Sequence, residues 1–211
     1  MTANVQSFFY TTTDQLNCHY LHWPNPAADS CCLLLHGFTN DAHVWDFIAP
    51  QLQKNHHVIA VDFRGHGDSD WDSNANYTHE QLCADIKLLI EQLPFKRWHI
   101  IGHSLGARIA MLLLARHNLP VNSLTIIDTG PEVRAVGVNK VRLDAESAPT
   151  EFASTDAYFS YLSNIYLFAQ ADSLKRVAEF GLKPNANGVL ITKTDPAFTA
   201  ALWKPGSRLA S

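Results

Sequence analysis

Apolar residues recur along this chain in two alternating patterns. Short continuous apolar runs are typical of strands that are buried on both faces of a sheet. Between these runs, apolar residues return at helical intervals, most clearly behind the capping-box pair Thr78 and Gln81. The predicted strands cover 31–35, 57–61, 98–101 and 123–127, and the predicted helices run from Thr78 to Pro94 and over 105–115. This alternation predicts an α/β fold with a doubly wound, mostly parallel sheet and right-handed crossovers.

The chain on either side of this alternation shows other patterns. The further predicted elements are a hairpin at 7–12 and 16–23, a helix capped by Asn40 or Asp41, helices at 155–170 and 172–180, and a weak strand at 188–192. Beyond Gly130 the alternation stops. The sequence therefore predicts a core over 1–130 and a helical cap with a C-terminal tail over 131–211. The alternative is a plain helical domain whose aromatic residues serve packing.

Ser104 lies at the corner between the predicted strand 98–101 and the helix that follows it. Gly102 and Gly106 flank it in the pattern Gly-x-Ser-x-Gly. A sharp strand-to-helix turn brings two backbones together, so the flanking positions leave no room for Cβ atoms. This pattern predicts an elbow that presents a nucleophilic serine. The simpler alternative is that Ser104 caps the N-terminus of the helix.

Several polar residues follow the predicted parallel strands directly. They are His36, Asp62, Ser104 and Asp128. In open α/β sheets, ligands bind beyond the carboxyl ends of the strands. We therefore expect these side chains to converge on one crevice.

Four segments occur in a characteristic order, namely LLLHGFTN, VIAVDFRGHGDSD, IIGHSLGARIAMLLLA and LTIIDTGPE. On these segments, residues 31–132 resemble the α/β-hydrolase fold family, and most of all its small capped esterases and meta-cleavage-product hydrolases. The resemblance implies that Ser104 is a nucleophile and that the backbone N–H groups of Phe38 and Leu105 form an oxyanion hole. It gives a supporting role to His36, Gly37, Gly102, His103 and Gly106.

The same resemblance implies a reaction class. A serine at the elbow favours hydrolysis of a small carboxylic ester, thioester or related acyl substrate through an acyl-enzyme. Dehalogenases and epoxide hydrolases of this family carry an aspartate at the elbow, so their chemistry is disfavoured. No metal or organic cofactor is implied.

A catalytic base is missing from the expected place. The family order is Ser, then Asp or Glu, then His, yet the last histidine in this chain is His117. We therefore expect the chain to be C-terminally incomplete, without the family's last two strands and final helix. Asp128 is the best candidate acid, although it could equally cap a turn. His36 and His66 are expected to be structural, and His103 to be aimed away from Ser104 because successive side chains of a strand alternate.

These features leave three hypotheses for function. The first is a serine hydrolase that is weak or inactive as this chain, because losing the triad histidine costs about six orders of magnitude in subtilisin. The second is a non-catalytic, receptor-like ligand-binding protein or an inactive remnant of the fold. The third is an enzyme whose partner chain donates the missing strands and base.

Composition excludes some classes of partner and location. The net charge is −4 and no basic run occurs, which argues against nucleic acid and anionic membranes. No signal peptide or membrane span is evident, so we expect a cytoplasmic protein. The four cysteines lack metal spacing and are expected to be free buried thiols. Without further strands, residues 123–127 would form an apolar sheet edge that lowers stability or drives self-association.

Overall fold

A computed structural model describes residues 5–130 and 135–202 of the chain. The strands are β1 (Gln6–Thr11), β2 (Asn17–Trp23), β3 (Cys31–Leu35), β4 (His57–Val61), β5 (Trp98–His103), β6 (Val121–Ile127), β7 (Glu151–Phe152), β8 (Leu182–Pro184) and β9 (Leu190–Thr192). The helices are a 3₁₀ helix at Ala42–Trp45, α1 (Ala49–Leu52), α2 (His79–Gln92), α3 (Leu105–Arg116), α4 (Ala135–Ser147), α5 (Thr155–Ile165), α6 (Ala171–Phe180) and α7 (Pro196–Leu202). Glu132 of the LTIIDTGPE segment and residues 203–211 of the tail lie outside the described residues.

Six strands form the main sheet in the order β1-β2-β4-β3-β5-β6. The four strands β3 to β6 are mutually parallel, and β2 joins them antiparallel through β4. The predicted N-terminal hairpin is the β1-β2 pair. The mostly parallel sheet is therefore confirmed, and β3 and β4 have the bounds that the sequence predicted.

Side chains of the central strands are buried on both faces of this sheet. Leu33 and Leu35 face the cluster that contains residues of α2 and α3, whereas Cys32 and Leu34 face Trp45 and its neighbours on the other side. This arrangement explains why the sequence of β3 is apolar throughout rather than alternating. All four cysteines are buried and unpaired, and burial raises the pKa of the Cys83 thiol to about 12.

One of the predicted helices is interrupted in the structure, and another begins at its predicted cap. Asp41 caps the first one, as its side chain accepts from the His43 amide at 2.9 Å. That helix is broken, however, into the 3₁₀ helix and α1, because Pro50 lacks the amide that would continue the hydrogen-bond ladder. Thr78 caps α2 by accepting from the Gln81 amide at 3.2 Å, as predicted.

The region after Gly130 contains strands as well as helices. Strands β7, β9 and β8 form a second, antiparallel sheet beside α5 and α6. Strand β9 corresponds to the weak strand predicted at 188–192, whereas β7 and β8 were not predicted. Strands of two or three residues are too short to show a period of two in the sequence. Helix α4 was not predicted, and its described side chains lie mostly at the surface without an apolar stripe.

The segment after β9 returns to the main core. The amide of Asp195 donates to Gly65 O at 2.8 Å, and the Tyr77 hydroxyl donates to the Asp195 carboxylate. Phe198 is fully buried within the same cluster as the central strands. Residues 195–198 are thus part of the core by their contacts, although they follow the cap in the sequence.

Strand β6 forms one edge of the main sheet among the described residues. Five of its seven residues are exposed, including Ile126 and Ile127. The predicted apolar edge is therefore present in the structure. None of the described helices combines the length and apolar character needed to cross a membrane.

Candidate active site

Ser104 occupies the corner between β5 and α3 in a strained conformation. Its φ and ψ are 49° and −111°, in the left-handed half of the map where residues other than glycine are rare. The Ser104 amide donates to Ile127 O at 2.9 Å. Its side chain makes no capping hydrogen bond to α3. The helix-cap interpretation of this serine is therefore wrong, and the hydroxyl is left available.

The two glycines around Ser104 are required by close backbone contacts. A Cβ at Gly102 would lie 2.5 Å from the Cα of Ala107, and one at Gly106 would lie 2.3 Å from Leu35 O. Both distances are far below ordinary van der Waals contact, and the atoms met are backbone. The elbow can form only because both positions lack a side chain.

The loop after β3, residues 36–40, is held against the elbow by His36. The His36 carbonyl accepts from the Gly106 amide at 3.1 Å. Its buried ring bridges two backbones, with Nδ1 donating to Gly37 O at 2.7 Å and Nε2 accepting from the Phe63 amide at 3.1 Å. Burial lowers the pKa of His36, so the neutral tautomer that these bonds require is favoured. His36 serves structure, as expected.

His66 supports the same loop from the other side. Its Nε2 accepts from the Thr39 amide at 3.4 Å, and Thr39 has a φ of 64°. Burial, with a smaller contribution from His36, lowers the pKa of His66 to about 3. The ring is therefore neutral at physiological pH and structural.

A cavity of about 780 Å³ opens in front of Ser104. Phe38, His103, Ser104 and Asp128 all line it. The predicted convergence at the carboxyl ends of the strands thus holds for residues after β3, β5 and β6. It does not hold for His36 and Asp62, which are buried behind the cavity wall and outside its lining.

His103 lines the same cavity as Ser104, and its side chain is directed toward Asp128. Its Nε2 is 3.7 Å from Oδ2 of Asp128. The ring also packs on the loop of residues 36–40, since a Cβ at Gly37 would lie 2.6 Å from His103 Nδ1.

Asp62 organises the loop after β4, a role that the sequence did not reveal. Its carboxylate accepts from the Ala42 amide at 2.6 Å, the Asp68 amide at 3.0 Å and His19 Nδ1 at 2.7 Å. Burial is the largest single effect and acts to raise the pKa of Asp62, but the hydrogen bonds from His19 and the Asp68 amide and the charge interactions with His19 and His36 together outweigh it, so the pKa is lowered. The signal available was the cluster of polar residues and glycines after a buried strand. At Gly67, a Cβ would lie 2.2 Å from Asp62 Cγ.

Asp41 and Arg64 are two further buried ionisable residues. Burial, and next the charge of Asp62, raise the pKa of Asp41 to about 7. Arg64 is fully buried and paired with Asp14 and Asp85, at 2.8 Å and 2.6 Å. Both residues support the loops around the site and lie outside the cavity lining.

One group of side chains has the spacing of metal ligands. Ligand atoms of His19, Asp62 and Asp68 lie within 4.8 Å of one another. The oxygens of Asp62 already accept three hydrogen bonds, and Asp68 pairs with Lys193. This chemistry fits a hydrogen-bonded structural cluster.

Helix α5 and its C-terminal neighbour form the far wall of the cavity. The lining residues there are Tyr158, Tyr161, Leu162, Ile165 and Tyr166. The cap is fastened to the core through the 3₁₀ helix, where His43 stacks on Phe180 at 3.6 Å between ring centroids and Arg176 pairs with Asp46. Residues of the cap and of the core thus line the same cavity as Ser104.

Comparison with known proteins agrees with this geometry. The family model of the alpha/beta hydrolase fold matches residues 33–172. A 2-(acetamidomethylene)succinate hydrolase of Mesorhizobium japonicum is 30% identical over 74% of this chain and 56% of its own. A fluoroacetate dehalogenase of Burkholderia sp is 35% identical over 47% of this chain and 34% of its own. The chain therefore spans about a third to a half of the length of these curated relatives.

Solved structures show the same architecture. The crystal structure of E-2-(acetamidomethylene)succinate hydrolase superposes with a TM-score of 0.85 at 25% identity, over 94% of this chain and 72% of that one. An alpha/beta hydrolase from Novosphingobium aromaticivorans gives a TM-score of 0.82 at 24% identity, over 94% and 71%. With the elbow, the neighbouring loop and the family match in agreement, this chain belongs to the α/β-hydrolase fold family.

Proposed function

We propose that this chain carries the nucleophile and oxyanion hole of a serine hydrolase that acts on carboxylic esters, thioesters or related acyl compounds. The single observation that carries the proposal is the conformation of Ser104. A half-buried corner with a φ of 49°, enforced by two glycines, places a hydroxyl on the cavity wall without a hydrogen bond to its own helix. Such strain is characteristic of functional sites.

The oxyanion hole would consist of two backbone amides. Leu105 is the first residue of α3, where amides lack partners within the helix and the dipole favours negative charge. Phe38 lies on the loop that His36 fixes against α3 through the Gly106 amide. Attack of Ser104 Oγ on an acyl carbon places negative charge on the carbonyl oxygen. Each fixed donor aimed at that charge is worth about 3–4 kcal/mol.

A serine nucleophile also limits the bond that can be cleaved. Curated relatives include both a hydrolase and a dehalogenase, so their names alone leave the reaction open. Displacement at an alkyl carbon by Ser104 would leave an ether, which water does not cleave. Attack at an acyl carbon leaves an ester, which water does cleave. Ser104 therefore favours acyl transfer.

The described residues do not supply a base that would accept the proton of the Ser104 hydroxyl. All eleven histidines are described, and His103 is the one that lines the cavity. It faces Asp128 and makes no hydrogen bond to Ser104 within the described chain. We propose Asp128 as the acid that would orient an imidazole placed between the two residues. Turnover by the 211-residue chain alone is expected to be slow.

A ligand-binding protein without turnover is the second candidate. The observation that favours it is the combination of a cavity of about 780 Å³ with a serine that has no hydrogen-bonded imidazole among the described residues. In that case, Ser104→Ala would leave ligand affinity unchanged and no ester would be cleaved.

Chemical rescue separates the two candidates. Hydrolysis of 4-nitrophenyl butyrate is measured at increasing imidazole concentration, with Ser104→Ala as the blank for free imidazole and Ser160→Ala as a control for loss of an exposed serine. We expect a saturable, imidazole-dependent rate in the natural chain and in Ser160→Ala alone. Identical rates in all three proteins would remove the catalytic proposal.

A further inference from the structure

One face of α5 forms an apolar wall of the cavity. Tyr158, Tyr161, Leu162 and Ile165 recur at three- and four-residue spacing, so they share one side of the helix, and all four line the cavity. Tyr158 and Leu162 are also buried against Leu174 and Ala178 of α6. The wall is therefore held in place by the packing of the cap.

The charges around the cavity are mainly negative. Among its described lining residues are the carboxylates of Asp128, Asp144 and Asp195 and the ammonium group of Lys140. Lys140 Nζ is paired with Asp144 at 2.8 Å. Asp195 accepts from the Tyr77 hydroxyl and, at 2.9 Å, from the Ala197 amide. The described lining thus offers no unpaired lysine or arginine to an anionic ligand, and Asp128 would repel one.

The size of the cavity indicates more than a two-carbon acyl group. Its volume of about 780 Å³ lies in the upper part of the range that holds drug-sized ligands. The apolar wall also continues to the surface beyond Ile165, because Tyr166 lines the cavity and Leu167 and Phe168 are strongly exposed. An acyl chain could therefore lie along α5 and still extend toward solvent.

We propose that the acyl group bound in this cavity is uncharged and apolar, at least as long as a hexanoyl chain, and that Ile165 helps to set this preference. The inference rests on the proposed function, because it places the ester carbonyl at Ser104 and the chain along α5. It adds the substrate class, for which neither the motifs nor the family match gives a basis. Acyl groups that end in a carboxylate fall outside this preferred substrate class.

Turnover of matched esters tests the preference. Under the imidazole conditions above, kcat/KM is compared for 4-nitrophenyl acetate, butyrate and hexanoate and for mono-4-nitrophenyl succinate. Each buried methylene favours binding about 4-fold, so we expect hexanoate to exceed acetate by about 10-fold or more. The succinyl group has the same four-carbon length as the butyryl group, with a carboxylate in place of the terminal methyl. After subtraction of the rate with Ser104→Ala protein, which includes attack of this carboxylate on its own ester, we expect succinate to react at least about 10-fold more slowly than butyrate. Equal values for butyrate and succinate would overturn the proposal.

Charge introduced on α5 provides the matched variant. Ile165→Lys places an ammonium group on the lining, and we expect the ratio of succinate to butyrate kcat/KM to rise about 10-fold. Leu143→Lys adds the same charge at an exposed position on α4 that is outside the lining, and we expect it to leave the ratio unchanged. Equal responses of the two variants would contradict a role for Ile165.

A binding measurement keeps this inference separate from the proposed function. Ser104→Ala protein is titrated with butanamide, hexanamide and succinamate, which mimic the acyl groups and cannot be turned over. We expect hexanamide to bind most tightly and succinamate most weakly. If no ester is cleaved but this order holds, the catalytic proposal fails and the acyl preference stands. Succinamate that binds as tightly as butanamide would overturn the preference whatever the turnover.

Discussion

Strands β5 and β6 are hydrogen-bonded neighbours with similarly apolar sequences, yet their surroundings differ. In β5, Trp98, Ile100 and Gly102 are buried, while five of the seven residues of β6 are exposed. The elbow serine depends on both strands, because Ser104 follows β5 and its amide donates to Ile127 O at the end of β6. The corner at Ser104 thus has one well-supported side and one side at a sheet edge.

This difference indicates where the site gains its rigidity. On the side of β3, two neutral imidazoles, the Gly106 amide and Phe198 all hold the loop that carries Phe38. On the side of β6, one backbone hydrogen bond to Ser104 is the corresponding support among the described residues. We therefore expect substitutions on the β3 side to have large effects and those on β6 to have small effects on stability.

The largest effect is expected at Gly106. In Gly106→Val, the new side chain would start 2.3 Å from Leu35 O, and both partners are backbone, so neither can move cheaply. We expect a loss of more than about 3 kcal/mol in the free energy of unfolding, measured by urea denaturation. Gly137→Ala is the control, since that exposed helical glycine has no atom near its Cβ position and should gain about 0.5–1 kcal/mol. A Gly106→Val protein as stable as the natural chain would refute the close-packed elbow.

Substitution of Phe198 tests how much this residue, which follows the cap in the sequence, stabilises the loop of residues 36–40. Its ring stacks on Phe38 at 5.7 Å between centroids and meets His66 edge-on at 4.4 Å. Phe198→Ala should cost about 3 kcal/mol in stability and lower kcat more than it raises KM, because the loop loses its position.

The comparison variant for Phe198 lies on β6. Ile126→Ala removes a side chain that is 41% exposed and should cost under about 1 kcal/mol. Phe198→Leu should recover most of the stability and the turnover. Losses of equal size at Phe198 and Ile126 would show that the two sides of the elbow are equally supported.

The buried carboxyl of Asp41 predicts a pH dependence on the β3 side. Its pKa of about 7 in the folded protein lies above the ordinary value, so the native state binds more protons than the unfolded state and stability falls as pH rises from about 4 to 7. Asp41→Asn should remove this fall, on the order of 2 kcal/mol, in denaturation curves across that range.

A second substitution at Asp41 separates titration from capping. Asp41→Ala also lacks the ionisable group but loses the hydrogen bond from the His43 amide, so it should be about 1 kcal/mol less stable than Asp41→Asn at every pH. If the free energy of unfolding has the same pH dependence in the natural chain and in Asp41→Asn, the claim that the buried Asp41 carboxyl is protonated would be contradicted.

The smallest effect on stability, with a clear effect on association, is expected at the β6 edge. Exposed edges pair with other chains, and lysine on the edge discourages this. Thr125→Lys should lower self-association in sedimentation velocity and change the unfolding free energy by less than about 0.5 kcal/mol. Val141→Lys, at an exposed position of α4, is the control. A natural chain that stays monomeric at high concentration would contradict the association.

The sequence alone was sufficient for the features that depend on local pattern. The bounds of β3 and β4, the cap at Thr78 and the two elbow glycines follow from apolar runs, side-chain chemistry and the need for close approach. Each of these features depends on residues that lie close together in the sequence. The parallel pairing of β3 to β6 was also predicted, from the alternation of strands and helices.

The remaining features depend on contacts between distant residues. Phe198 joins the core through rings of residues 38, 66 and 77, and nothing in its neighbourhood marks it as more than part of a short helix. The small sheet consists of strands of two and three residues. His103 lies near Asp128 because β5 pairs with β6, where His103 is opposite Ile127.

Covalent labelling tests the central claim most directly, which is that Ser104 is a nucleophile set beside two oxyanion donors. The natural chain is treated with a fluorophosphonate probe in the presence of imidazole, and the modified peptide is sequenced by mass spectrometry. We predict one adduct, on Ser104, whose formation accelerates with imidazole and is absent in Ser104→Ala. An adduct on another serine, or labelling that persists in Ser104→Ala, would contradict the account.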